Sequence, residues 1–332
     1  MAQRVTIKTI AEDLGVSHMT VSRALANHPN VNAKTRQQVL KRASDLGYVK
    51  SAAATAMRGD ATGIVGLLLP NIVNEFYARF ANALAIACDD RALSLIIHLT
   101  DDDAAREHQA VRRLRGVQAD SVIMVPSPKA DQDEELHLDD LKVVQFIRRR
   151  QEASPTSGLL VEDKKAIASA VDQLFAKGHT KIAYIGASKS LTSGATRLSA
   201  FEEAMARNGL ACNPELIRTG TPSFDLGCQS ARSILETRTQ ASALVCGGFE
   251  ISNGALDTCL RQGLKMPDDI AFIGYGDPAS YMWINGGIST ISLPVELLAE
   301  HALDIVSSNR QPYDGKPEDR FVAASLVLRS SA

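Results

Sequence analysis

The 332-residue sequence lacks the marks of membrane-spanning, secreted and disulfide-bonded proteins. Its longest apolar runs, such as 64–69 and 122–125, have the length of strands, whereas a membrane-spanning helix needs about 18 apolar residues. The N-terminus has no apolar signal segment. The five cysteines are odd in number and form no CxxC pair, which predicts reduced structural thiols in a cytoplasmic protein.

Motifs of catalysis and of cofactor binding are missing too. The sequence has no GxxxxGK, HExxH or GxSxG motif, and Gly274-Tyr275-Gly276 lacks the third glycine of a dinucleotide-binding loop. Its seven histidines show no metal-ligand spacing. Asp101–Asp103 looks like a metal-binding run, but acids are also favoured at a helix N-terminus by the helix dipole. We therefore expect no enzyme, no cofactor and no metal.

The charge of the chain is unevenly distributed. Residues 1–60 hold nine Lys and Arg against four acids, whereas the remaining 272 residues hold 27 against 34. A small basic segment joined to a larger acidic one is typical of a nucleic-acid-binding module attached to another domain, although a solvated basic face would give the same asymmetry. The length favours two or three domains, and the hydrophobic fraction of 45% is ordinary for a globular chain.

Apolar residues recur at helical spacing in the basic segment and predict three helices, at about 6–13, 17–25 and 32–45. Each helix begins after a residue type that caps helix N-termini: Thr6, Ser17 and Asn32. Gly47 ends the third helix. Only Leu14-Gly15-Val16 separates the first two helices, so they cross sharply and form a helix-turn-helix.

In a helix-turn-helix the second helix lies in the major groove and reads base edges with its N-terminal side chains. Arg23 has the geometry for a bidentate contact with guanine, which is worth ~1–3 kcal/mol of discrimination. The predicted DNA contacts combine base-reading, phosphate-binding and capping residues: Thr6, Ser17, His18, Met19, Thr20, Ser22, Arg23, Lys34 and Arg36. An ordinary three-helix bundle with a polar outer face would share this pattern.

Residues 4–58 resemble the N-terminus of LacI/GalR-type transcriptional regulators. The specific runs are IAEDLGVSHMTVSRAL and LGYVKSAAATAMR, and the resemblance extends to the closing LVLRSS. It implies a helix-turn-helix domain at 1–48, a hinge helix and linker at 49–62, and an effector-binding and dimerisation domain at 63–332. Thr9 departs from the family, which usually has an acid there, and weakens the predicted capping box.

The segment Ser51–Arg58 is helix-prone but too short to be stable alone. The resemblance implies a hinge helix that orders when two subunits meet on DNA. It places Met57 where the family has a leucine that enters the minor groove and kinks the central base step. Methionine is a softer side chain than leucine, which favours a shallower kink. A plain alanine-rich linker is the alternative.

Strand-like apolar runs alternate with helical patterns after residue 62. The predicted strands are 63–69, 93–99, 120–125, 142–147, 181–186, 242–247 and 270–276, and the predicted helices are 75–91, 103–115, 164–177, 195–208, 226–236, 250–262 and 294–308. The alternation indicates an α/β fold with parallel sheets flanked by helices. The resemblance implies the two-lobed fold of periplasmic-binding proteins, with crossovers between the lobes near 160, 292 and 320. Ligands of such folds bind in the cleft between the lobes, beyond the carboxyl ends of the strands.

The resemblance also indicates which residues line the cleft. Phe76 and Tyr77 correspond to residues that stack on the ligand, although both would equally suit a buried core. Arg197 occupies the position of the effector-binding arginine and can donate two hydrogen bonds to hydroxyls or a carboxylate, with Ser193 one helical turn earlier. Asp163 is either a contact or a helix cap. The predicted effector contacts are Asn74, Phe76, Tyr77, Arg148, Asp163, Ser193, Arg197, Phe249 and Asp277.

The cleft departs from the family pattern at its acceptor positions. Gly248 and Phe249 replace a usual Asn-Asp pair, and Gly276 replaces a usual Asp, with Asp277 one place later. The run 148–150, three arginines, adds positive charge near the lobe interface. We therefore expect an anionic or sparsely hydroxylated effector such as a sugar acid, with an ordinary sugar as the alternative.

These features predict a repressor of carbohydrate or carboxylate catabolism genes that binds double-stranded DNA at a palindromic operator as a homodimer, with no membrane partner. No leucine heptads follow Leu328, which favours a dimer over a coiled-coil tetramer. The competing functions are a periplasmic-type solute-binding protein, which would need a signal peptide, and a sugar-modifying enzyme, which would need paired catalytic groups.

Overall fold

The structure is a computed structural model that describes residues 5–48, 61–128, 136, 138, 140–152, 154–237, 240–284, 286–307 and 317–332. Contacts between residues divide the chain into two compact units, Met1–Thr62 and Gly63–Ala332. The predicted hinge helix with Met57 lies outside the described residues.

The first unit is a bundle of three helices, α1 (Ile7–Leu14), α2 (His18–Leu25) and α3 (Ala33–Asp45). All three contribute to one core, in which Ile10, Val21 and Val39 are fully buried. Each helix begins at a side chain that accepts a hydrogen bond from the first turn, and these caps are Thr6, Ser17 and Asn32. A left-handed Gly15 with φ +63° ends α1 and lets α2 start three residues later.

The capping box of α1 is complete, contrary to the weakening predicted from Thr9. The Thr9 hydroxyl accepts a hydrogen bond from the Thr6 backbone N–H at 3.3 Å, and the Thr9 N–H donates to the Thr6 hydroxyl at 3.3 Å. A hydroxyl thus makes the return contact that a carboxylate usually makes in this motif.

The second unit has two lobes, each with a central sheet. The sheet of the first lobe contains β1 (Ile64–Leu69), β2 (Ser94–Leu99), β3 (Ser121–Met124), β4 (Lys142–Phe146), β5 (Ser157–Glu162) and β11 (Asp319–Ala323). The strand order is β2-β1-β3-β4-β5-β11 and all neighbouring pairs are parallel. Its helices are α4 (Glu75–Asp90), α5 (Ala104–Gly116) and α10 (Val295–Ser307).

The sheet of the second lobe contains β6 (Ile182–Ala187), β7 (Ile217–Gly220), β8 (Ala243–Gly247), β9 (Ala271–Tyr275), β10 (Ser289–Ser292) and β12 (Ser325–Val327). The order is β7-β6-β8-β9-β10-β12, parallel except for the β10/β12 pair. Helices α6 (Lys164–Ala176), α7 (Thr192–Arg207), α8 (Phe224–Leu235) and α9 (Phe249–Arg261) cover it, and short 3-10 helices occupy Pro214–Leu216 and Ala279–Trp283.

The chain passes between the two lobes three times. It leaves the first lobe after β5, returns to it after β10, and crosses again at Ala324 between β11 and β12. The predicted fold class, a helix-turn-helix head with a two-lobed α/β body of parallel sheets, is confirmed. No helix in the described ranges is long and apolar enough to cross a membrane.

Five strands were not predicted, namely β5, β7, β10, β11 and β12. Most of them are short or rich in polar residues, as in the STIS sequence of β10. Ser289 and Thr290 of that strand are nevertheless fully buried. Their strand conformation comes from pairing with β9 and β12, which a hydrophobic pattern cannot reveal.

Candidate functional site

The outer face of α2 is the candidate nucleic-acid interface. Val21 and Ala24 are buried on the inner face, whereas His18 and Arg23 are exposed and Met19 is 50% exposed. Thr20 and Ser22 are half-buried, and Lys34 at the start of α3 is exposed. The structure therefore brings the predicted base-reading side chains together on one helix.

The capping hydroxyls of this unit are engaged within the protein. Ser17 Oγ accepts from the Thr20 backbone N–H at 3.1 Å and lies 2.9 Å from the Thr20 hydroxyl. Arg36, predicted to contact phosphate, donates from Nη2 to the carbonyls of His28 at 2.8 Å and Val31 at 3.1 Å. It therefore fixes the loop between α2 and α3.

The second candidate site is a cavity of about 90 Å³ between the two lobes of the body. It lies where strands end, as expected for parallel sheets. Seven of the nine predicted effector contacts line it: Asn74, Phe76, Tyr77, Arg148, Ser193, Arg197 and Phe249. Phe76 and Tyr77 also belong to the buried core, so their two predicted roles coincide. Asn74 uses its side-chain oxygen to cap α4, accepting from the Phe76 N–H at 3.0 Å.

Arg197 is held by a buried cluster under the cavity. Its Nε donates to Asp163 Oδ2 at 2.5 Å, and Nη1 donates to the carbonyl of Gly247 at 3.2 Å. The Tyr275 hydroxyl donates to the same Asp163 oxygen at 2.7 Å, and its ring centroid lies 4.4 Å from Arg197 Cζ. Burial raises the pKa of Tyr275 well above its usual value, so this phenol remains a neutral donor. Asp163 makes no capping bond to α6, so it orients Arg197 rather than capping the helix.

The three consecutive arginines do not supply free positive charge, contrary to the sequence prediction. Arg148 pairs with Asp102 through two hydrogen bonds of 2.7 and 3.1 Å. Arg149 pairs with Asp319 at 3.2 Å, and Arg150 pairs with Glu107 at 2.7 Å and Glu152 at 2.6 Å. Of the three, only Arg148 lines the cavity. Its partner Asp102 lines it as well.

The two departures at the acceptor positions are structurally coupled. Gly276 has φ +101°, and a Cβ atom at this residue would overlap the ring of Phe249. Phe249 is half-buried and lines the cavity. The aromatic ring therefore uses the space that a side chain at 276 would need, and the glycine makes room for it.

Asp277, which was predicted as an effector contact, does not line the cavity. It forms a two-point ion pair with Arg329, with distances of 2.6 and 3.1 Å. Because φ of Gly276 is positive, the chain turns at that residue, and the next side chain lies outside the cavity lining.

Glu250 is a cavity-lining residue that the sequence analysis missed. It lies in the first turn of α9, is half-buried, and forms no ion pair or hydrogen bond within the described part of the chain. Burial raises the pKa of its carboxyl group. Its position directly after Phe249, beyond the carboxyl end of β8, is the feature of the sequence that could have predicted it as a cavity residue.

Comparisons with known proteins agree with this architecture. The sequence profile of bacterial regulatory proteins of the lacI family matches residues 6–51, and that of periplasmic binding protein-like domains matches residues 171–332. The transcriptional regulator DegA of Bacillus subtilis is 26% identical over 99% of this chain and 98% of its own length. GalR of Escherichia coli is 24% identical over 90% of this chain and 88% of its own length.

Solved structures share the fold. A Lac repressor dimer bound to operator and the anti-inducer ONPF has a TM-score of 0.84 at 23% identity, covering 99% of both chains. A complex of the transcriptional regulator CelR with cellobiose has a TM-score of 0.71 at 22% identity, covering 99% of this chain and 100% of that one. The relatives are regulators rather than enzymes or transport components. Residues 6–51 match the lacI family of bacterial regulatory proteins, the chain is similar to such regulators over nearly its whole length, and it is a DNA-binding transcriptional regulator.

Proposed function

We propose that this protein is a homodimeric cytoplasmic repressor of carbohydrate or carboxylate catabolism genes, controlled by a small effector. In this proposal residues 1–48 bind one half of a palindromic operator, 49–62 form the hinge, and 63–332 bind the effector and the second subunit. By thermodynamic linkage, effector and operator change each other's affinity by the same factor, typically about 1–3 kcal/mol.

The exposed face of α2 carries the proposal. The N-terminal half of the helix exposes His18 and Met19, and Arg23 follows one turn later. The opposite face of the helix packs into the core. A helix that keeps its polar face free of core contacts fits the major groove. The excess of basic residues in 1–60 adds the phosphate attraction that dominates affinity.

The cleft supports control by an effector. A ligand in it contacts Tyr77 and Arg148 of one lobe and Ser193 and Arg197 of the other. Such a ligand favours one arrangement of the lobes and shifts the population toward it. The Lac repressor complex with operator and anti-inducer, and the CelR complex with cellobiose, support the same interpretation because their fold is shared.

Exposed apolar side chains of the body support a homodimer. Leu99 on the edge strand β2 is 48% exposed, and Met282 and Trp283 are 60% and 80% exposed. An exposed edge strand and large exposed apolar side chains are features that proteins usually cover with a partner. We assign them to the second subunit.

The test is fluorescence anisotropy of the full chain with its own upstream DNA and with scrambled DNA, at two salt concentrations. We expect Arg23→Ala to reduce the preference for the upstream site by about 10- to 100-fold, corresponding to one lost bidentate base contact. Arg23→Lys is the matched control, because it keeps the charge and the salt dependence but not the two-point geometry. Equal affinity for both DNAs, unchanged by either substitution, would contradict the proposed reading of bases by α2.

A further inference from the structure

The charges around the cleft do not cancel. Arg148 is neutralised by Asp102 and Arg197 by Asp163, each through a direct ion pair with buried or half-buried side chains. Glu250 is the remaining charged group of the cavity lining among the described residues. Together with Asp163, which pairs with Arg197 but does not line the cavity, the cleft therefore holds two cations against three carboxylates, a net charge of −1, opposite in sign to the prediction from three adjacent arginines.

Glu250 is the uncompensated member of this set. The N-cap residue of α9 is Gly248, which has no side chain that could accept a hydrogen bond from the helix. The side chain of Glu250 makes no capping hydrogen bond either. The helix dipole stabilises an acidic side chain in the first turn of a helix. This stabilisation explains an exposed carboxylate at that position, but not one that is half-buried in a cavity. Burial raises the pKa of the Glu250 carboxyl group, and neither arginine of the cleft forms an ion pair with it.

The surroundings of Glu250 determine which ligand group compensates it. A neutral hydroxyl donates a hydrogen bond but leaves the charge in place, and a carboxylate adds repulsion. An ammonium group supplies both a charge-assisted hydrogen bond and the missing positive charge. The ring of Phe249, the preceding residue, also lines the cavity and offers an apolar surface to the rest of the ligand.

We propose that the cleft selects a small ligand bearing a primary ammonium group, which pairs with Glu250 while the less polar part of the ligand packs against Phe249. This inference rests on the proposed function, because it identifies the chemical class of the effector. Amino sugars and aliphatic amines share the required chemistry, and the experiment separates them.

The test is isothermal titration calorimetry of the full chain at neutral pH with two matched series of probes. The ring series is glucosamine, glucose and glucuronate, and the linear series is putrescine, 1,4-butanediol and succinate. We expect the amine of at least one series to bind about tenfold or more tightly than its neutral and acidic counterparts. The series that shows this preference distinguishes an amino sugar from an aliphatic amine.

Two variants assign the preference to the carboxylate. Glu250→Gln should remove the advantage of the amine, whereas Glu300→Gln, the same change at an exposed residue of α10, should retain it. The proposal is overturned if a neutral or acidic probe binds as tightly as the amine, if Glu250→Gln leaves the preference intact, or if no probe binds up to about 10 mM.

Operator binding measured on the same samples separates this inference from the proposed function. A neutral or acidic probe that binds and changes operator affinity keeps the effector-controlled repressor and rejects the ammonium ligand. An amine that binds with Glu250 dependence but leaves operator affinity unchanged supports the ammonium site and contradicts the effector role.

Discussion

At the scale of single residues, we expect Glu250 to lower the stability of the fold at neutral pH, because its half-buried carboxylate has no ion-pair partner among the described residues. Its carboxyl pKa is raised by burial in the folded protein, so the folded state binds a proton more readily than the unfolded state does. The resulting destabilisation is fully present above the folded pKa and disappears as the pH falls below the ordinary glutamate value of about 4.3.

Glu250→Gln should therefore stabilise the protein at neutral pH. We expect a rise of about 1–3 °C in the melting temperature of the body at pH 7, shrinking toward zero near pH 4. Thermal denaturation at both pH values measures it, with Glu300→Gln as the control for loss of a surface charge. A lower melting temperature at pH 7 would show that Glu250 supports the fold instead.

The contact between Phe249 and Gly276 is open to a double-mutant test. Gly276→Asp introduces the acid that the family resemblance implies at this position, but its Cβ overlaps the Phe249 ring and its φ of +101° disfavours any side chain. We expect a loss of about 2–4 kcal/mol in the free energy of unfolding, measured by urea denaturation.

The matched double variant, Gly276→Asp with Phe249→Ala, removes the overlap and should recover about 1–2 kcal/mol relative to the sum of the single changes. Simple additivity of the two substitutions would mean that the ring moves aside freely and that the two departures from the family pattern are independent.

Other residue-scale features could not be predicted because their causes are distant in sequence. Arg148 pairs with Asp102, and Arg150 pairs with Glu107. In the sequence, two strands separate each arginine from its carboxylate partner. Ile147 adopts φ +66°, a rare conformation for a β-branched residue. A hydrogen bond of 2.7 Å from the Arg148 N–H to the carbonyl of Phe146 closes the tight turn there. Both Ile147 and Arg148 line the cavity, so this unusual conformation lies at the candidate site and not at a sequence motif.

At the scale of elements, the helices were predictable and the strands less so. Caps and apolar periodicity are local signals, so the predicted bounds of α1, α2 and α3 agree with the structure to within a residue. The apolar strands β1, β6 and β8 were also predicted from a local pattern, because each is buried along all or nearly all of its length. Strands such as β10 and β12 have no such pattern, since neighbouring strands define them.

The N-cap residue of α2 stabilises the first turn of the helix that carries the predicted base contacts. Ser17→Ala removes the acceptor for the Thr20 N–H and should cost about 1 kcal/mol of helix stability. Amide hydrogen exchange of residues 18–25 in the full chain measures this loss as faster exchange. Ser17→Asn is the control, because asparagine caps equally well. Unchanged exchange in Ser17→Ala would mean that core contacts through Val21 alone hold the first turn.

At the scale of the whole molecule, the proposed recognition of a palindrome requires two heads, although one chain supplies one. On this proposal, the affinity for operator also depends on the surface that joins the two subunits. The body exposes a tryptophan and a methionine side by side at the end of the 3-10 helix Ala279–Trp283. Large aromatic side chains of this kind supply much of the binding energy at protein interfaces.

Trp283→Glu should convert the dimer to monomers, because it replaces an 80% exposed ring with a charge that would be buried at the interface. Sedimentation equilibrium should show at least a hundredfold weaker association, about 3 kcal/mol, and operator affinity should fall in parallel while the melting temperature of the body changes little. Phe175→Glu, at a 40% exposed aromatic on α6, is the matched control. If Trp283→Glu remains dimeric, the interface lies elsewhere. If it is monomeric but still binds the full operator with undiminished affinity, each head acts alone, and an effector in the cleft would have to act on a single chain rather than on the spacing of two.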